Sequence, residues 1–178
     1  MRVVLAPGSH LEWLPQETIL FEGALFRQQL RVDLAPGATF LTWDITRLGR
    51  TARGEQFLRG DWKALTEVWQ GNCPLWIDPQ WLPGDPQLWR SPHGLNQQPL
   101  VASLLWFGGT VSNELLCALR GCWAGQGEAG VSRLQEGVIC RWRGQSTAEV
   151  RRWFLAVWDR LRQAFRGQPA CPPRAWMI

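Results

Sequence analysis

Metal and nucleophilic sites are built from histidine, cysteine and carboxylate side chains that converge. In this chain they are scattered. His10 and His93 are the only histidines, and neither stands in an HExxH arrangement or beside other ligands. Cys73, Cys117, Cys122, Cys140 and Cys171 include no CxxC pair, and Cys117 and Cys122, five apart on an expected helix, point in different directions. P-loop and GxSxG patterns are absent as well. These observations predict no catalytic residue, no fixed metal site and no stably bound cofactor. A hydrolase with a dispersed site stays as an alternative, with His10 or His93 as its only histidine base.

The informative charges sit at turns. Glu12, Glu17 and Glu22 surround Trp13-Leu14-Pro15-Gln16, and Asp44 occupies the side of its strand opposite Trp43 and Ile45. A carboxylate on the inner side of a layered sheet must find a partner or shift its pKa. Arg47, Arg50, Arg53 and Arg59 are near enough along the chain to supply one, and an arginine fork holds a carboxylate at two points. Gly49 and Gly54 let the chain approach closely there. Two readings follow. Glu17, Glu22 and Asp44 line a polar passage for a hydrated metal ion, or Asp44, Arg50, Arg53 and Glu55 form a structural ion-pair network that shapes a protein-binding surface.

The elements that position these groups are mainly strands. Leu25–Leu34 alternates, with Phe26, Leu30, Val32 and Leu34 on one face, interrupted by Gln28. In Ala38–Leu48, Leu41, Trp43 and Ile45 oppose Phe40, Thr42, Asp44, Thr46 and Leu48. Further strands are expected over Gln56–Arg59, Trp62–Trp69, Cys73–Asp78 and Leu100–Phe107. Residues 79–99 hold five prolines and two glycines and read as an irregular excursion. Leu5-Ala6-Pro7-Gly8 is echoed by Leu34-Ala35-Pro36-Gly37, which suggests layers stacked in register.

Two helices complete the picture. Ser112 caps the first, over Asn113–Cys122. Ser146-Thr147-Ala148-Glu149 is a capping box opening the second, over residues 146–166. Its apolar stripe includes Trp153, Phe154, Trp158 and Leu161, expected to close the sheet core first and to offer a partner surface second.

The 178 residues suit one domain, and 19 basic against 15 acidic residues give a net charge of +4, too small and mixed to imply nucleic acid. Five cysteines without a staple pattern favour free thiols in a reducing compartment, and the apolar run Pro99–Val111 is too short to span a bilayer. A cytoplasmic protein with no membrane role is expected. Thirteen tryptophans and no tyrosine supply large apolar area whose N–H groups need partners when buried.

The same residues carry a resemblance. Leu11-Glu12-Trp13-Leu14-Pro15-Gln16-Glu17-Thr18-Ile19-Leu20-Phe21 resembles the signature of the UreD (UreH) urease accessory family. Asp44 followed by Leu48-Gly49-Arg50-Thr51-Ala52-Arg53-Gly54-Glu55-Gln56-Phe57 matches in the same order, as do Gly144–Val150 and Pro172–Trp176. The resemblance implies a urease-maturation scaffold that works with UreF and the GTPase UreG on apo-urease, with Ni(II) in transit and room for a two-fold assembly through a partner. It implies a mainly β, layered, β-helix-like fold with antiparallel and mixed strands, a small helical part and a C-terminal amphipathic helix. Such a UreD-like domain over 1–178 is expected to lack a β-rich N-terminal portion, because little chain precedes Leu11. A truncated non-functional paralogue, or a purely structural interaction module, is the alternative.

Overall fold

The two Leu-Ala-Pro-Gly turns lie one on the other. The Gly8 N–H donates to the Pro36 carbonyl at 3.3 Å. Both Gly8 and Gly37 have φ near +70° (68° and 73°), a conformation a side chain would strain. In this computed structural model, which describes residues 1–176, the turns join two pairs of strands. β1 (Arg2–Leu5) and β4 (Leu25–Leu34) precede them, and β2 (His10–Trp13) and β5 (Thr39–Leu48) follow. β1 runs parallel to β4, and β2 parallel to β5, with the short β3 (Thr18–Leu20) beside β5 as well.

The remaining strands complete two sheets. β6 (Asp61–Gln70) and β7 (Cys73–Pro83) extend the first to the order β1-β4-β6-β7. β8 (Leu100–Phe107), β9 (Glu128–Leu134) and β10 (Gly137–Gly144) extend the second to β2-β5-β8-β10-β9.

This corrects the β-helix-like expectation. The fold is mixed α/β, mostly strands with a small helical part, and its strands form two open sheets in linear order. Parallel stacking stops early: β7 reverses against β6, and β8, β10 and β9 are antiparallel, so no further coil is laid down. The turn echo reported a real stacking, but of two layers only. Residues 56–59 form no strand, whereas β7 runs on to Pro83 and a short helix α1 (Pro86–Arg90) follows. β7 is an edge strand, which is where Pro74, Pro79 and Pro83 fit without breaking a ladder on both sides.

Helices α2 (Asn113–Gly121) and α3 (Thr147–Arg166) form a third layer on the outer face of the larger sheet. Ser112 and Ser146 each accept from an N–H in the first turn, Leu115 at 3.1 Å and Glu149 at 3.3 Å. Gly167, with φ of 63°, ends α3. Trp153, Phe154, Trp158 and Leu161 are buried against Leu41, Trp43 and Ile45 of β5, at about 1.5–3 kcal/mol per fully buried side chain. Among the described residues no helix is long and apolar enough to cross a membrane.

Candidate functional site

The space between the two sheets is apolar at its ends and polar in its middle. Near the stacked turns, Val32, Leu34, Phe40, Val68 and Phe107 pack together. At the opposite end, Leu20, Leu48, Phe57, Trp62 and Trp89 form a separate cluster. Strand register explains what lies between them. On β5 the inward positions run Phe40, Thr42, Asp44, Thr46, Leu48, from one cluster to the other. Asp44 pairs with Ser103 of β8, which pairs with Arg141 of β10. On the facing sheet Thr66 of β6 pairs with Asp78 of β7. The result is a polar belt across the width of the sandwich.

The charged members are tied. Gln28 Nε2 donates to Asp44 Oδ2 at 2.7 Å, and Thr46 Oγ1 donates to Asp44 Oδ1 at 2.7 Å. At the other side Arg141 Nη2 donates to Asp78 Oδ1 at 2.6 Å and Nη1 to Ser103 Oγ at 3.0 Å. Gln80 Nε2 reaches Asp78 Oδ2 at 3.1 Å. Gln28, Asp44, Thr66, Asp78, Gln80 and Ser103 contribute to the wall of a cavity of about 400 Å³. Trp76, on the same wall, has its indole N–H buried without a hydrogen-bond partner among the described residues.

Such a lining has a definite chemistry. Its cation-binding donors are carboxylate, amide and hydroxyl oxygens, which hold hydrated divalent ions weakly compared with thiolate and imidazole sets. Among the described residues no three His, Cys, Asp or Glu side chains gather closely enough to hold a metal ion.

The other residues singled out from sequence lie elsewhere. Arg50 grips Glu55, with Nε at 2.8 Å and Nη2 at 2.5 Å from Oε2, while Glu55 Oε1 accepts the Glu22 N–H at 2.8 Å. The Arg50 fork, with that backbone N–H, holds the Glu55 carboxyl at about 2. Gly49 makes this turn possible: with φ of 89°, a Cβ there would meet the Glu55 carbonyl oxygen at 2.6 Å. Arg53 is exposed on the adjoining 3-10 turn and makes no ion pair among the described residues. Asp44 stands apart from this group, inside the belt.

Glu17 and Glu22 are not on the cavity wall. Glu17 pairs with Arg151 of α3 at 2.5 Å, and Glu22 with Arg59 at 3.1 Å. Glu12 also faces α3, accepting from Trp158 Nε1 at 2.9 Å and Arg162 Nη1 at 2.7 Å. The carboxylates of the Leu11–Phe21 motif at positions 12 and 17 therefore clamp the helix. His10 places Nδ1 2.6 Å from Thr39 Oγ1 and Nε2 3.1 Å from Glu12, and His93 is exposed. All five cysteines are free, and burial pushes the Cys140 thiol up.

Asp78, Gln80, Ser103 and Arg141 were missed in the sequence. The available signal was a lone polar residue, Ser103, within the apolar Leu100–Phe107, and a charged residue, Arg141, between the apolar Cys140 and Trp142.

The profile of the UreD urease accessory protein family matches residues 1–177. The chain belongs to the UreD family. It is 56% identical over 172 residues to the urease accessory protein UreD of Nostoc punctiforme, a match covering 97% of this chain and 62% of that one. It is 53% identical to UreD of Thermosynechococcus vestitus, over 97% of this chain and 64% of that one. UreD of Pseudomonas fluorescens is 37% identical, over 99% of this chain and 62% of that protein. The chain thus spans less than two thirds of the length of these UreD relatives.

Proposed function

We propose that this chain is a non-catalytic scaffold of urease maturation, assisting nickel incorporation into apo-urease in the cytoplasm together with UreF and the GTPase UreG. The UreD family assignment supports that role and these partners. The observation that carries the nickel part is the polar belt: an inter-sheet core that is apolar at both ends is crossed by Asp44, Ser103 and Asp78. Apolar residues in that row would serve a purely structural sandwich as well, since pairing at best offsets the free energy that polar and charged groups lose on leaving water. Oxygen donors without a closed ligand set suit Ni(II) as cargo, bound weakly enough to move on. Asp44 is the passage residue in this reading, while Glu17 and Glu22 hold the scaffold together.

The test is urease activation in a host supplying urease and the other accessory proteins. Asp44→Asn keeps the shape and the acceptor facing Gln28, so it is expected to leave the fold intact and lower the nickel content of urease. Normal nickel loading with Asp44→Asn present at wild-type levels refutes the passage.

A further inference from the structure

The belt has two unlike ends. At one, Asp44 is bound among the described residues only by neutral groups, Gln28 and Thr46. At the other, Asp78 is bound by a cation. Arg141 reaches from β10 of the larger sheet across to Asp78 on β7 of the smaller one, and its second nitrogen holds Ser103. Ser103 is the in-register neighbour of both Asp44 and Arg141, so one residue stands between the two ends, with its hydroxyl turned to Arg141. The Arg141 side chain is 42% exposed while Asp78 is only 12% exposed. The guanidinium therefore closes the belt from its solvent side, with an escape route into water.

We infer that the Arg141–Asp78 pair is a displaceable latch on the belt, with a divalent cation competing against the guanidinium for the Asp78 carboxylate. This rests on the passage reading and adds how its β7–β10 end is kept shut. When the end is empty, Arg141 neutralises Asp78 and ties the sheets together. A dication arriving along the wall supplies that neutralising charge itself. Two cations on one carboxylate repel, and the one on a flexible, half-exposed stem leaves. The latch thus opens only for a ligand of positive charge, and monovalent ions, with half the charge, compete poorly.

The experiment is a calorimetric titration of the purified chain with Ni(II). Arg141→Gln, which leaves Asp78 without its cation, is expected to raise the apparent nickel affinity by about ten-fold. Arg141→Lys keeps the charge but loses the two-point grip on Asp78 and Ser103, and is expected to rise by about two- to three-fold. Adding Asp78→Asn to Arg141→Gln removes the gain. If Arg141→Gln does not fold, Arg141→Lys alone is read, and wild-type affinity in that variant overturns the latch. A purely structural Arg141 lowers the melting temperature of both variants and leaves nickel affinity unchanged, which also overturns it. Asp44→Asn separates the two ideas. Weakened nickel binding there beside unchanged Arg141 variants sinks the latch alone, and unchanged binding in every variant sinks the passage reading too.

Discussion

Trp158 Nε1 donates to Glu12 Oε1 at 2.9 Å across a separation of 146 residues. Glu12 Oε2 takes Arg162 at 2.7 Å, so one carboxylate fixes two residues of α3 to the edge of the larger sheet. Burial alone raises the Glu12 carboxyl, but the bonds from Trp158 and His10 and the charges of Arg162 and His10 outweigh it, leaving it below its usual value. Glu12→Ala strands the Trp158 N–H and the Arg162 guanidinium together. It is expected to cost about 1.5–3 kcal/mol in chemical denaturation, as for hydrogen bonds to charged groups.

Acid acts on the turn at Gly49–Glu55. The Glu55 carboxyl is depressed from 4.5 to about 2, so its contribution to stability is present above pH 4.5 and is lost as pH falls toward 2. Glu55→Gln does not titrate. The difference in melting temperature between wild type and Glu55→Gln is expected to shrink steadily across that window and to be flat from pH 5 to 7.

Arginine substitutions in the same turn separate a working ion pair from an idle one. Arg53 is exposed and unpaired among the described residues, so Arg53→Ala is expected to change stability by less than about 0.5 kcal/mol. Arg50→Ala removes the strongest grip on Glu55 and leaves the Glu22 N–H, so the pH dependence just described is expected to shrink with it. Equal acid sensitivity in Arg50→Ala and wild type would contradict the assignment.

The helix layer is held by packing. Phe154 is fully buried beside Trp43 and Trp153, with ring centroids 6.0 Å and 5.3 Å away. Phe154→Ala is expected to lose about 3–5 kcal/mol through lost transfer energy and the cavity left behind. Urea denaturation measures it directly, with the slope unchanged.

Signals carried by a few adjacent residues were legible in the sequence. Ser146 and Gly167 mark the ends of α3, and the alternation in β4 and β5 separates inner from outer faces, because caps and pleats are local. The belt was half legible. Asp44 stood out on an alternating strand, whereas Ser103 lies in an apolar run without alternation, and Arg141 alternates with Arg143 as an ordinary outward-facing basic pair does. Asp78 was hidden by Pro79, which suggested an excursion because a lone chain does not reveal that β7 lies at an edge. The β-helix expectation failed for a related reason: two stacked turns specify parallel neighbours, but not whether the chain coils again or doubles back.

That edge has a consequence for how molecules of this kind behave in a crowded solution. Pro74, Pro79 and Pro83 leave three positions of β7 without an N–H to donate. A strand from another molecule laid along this border finds gaps where a continuous ladder needs bonds, so fibrous growth of the smaller sheet is arrested on its β7 side.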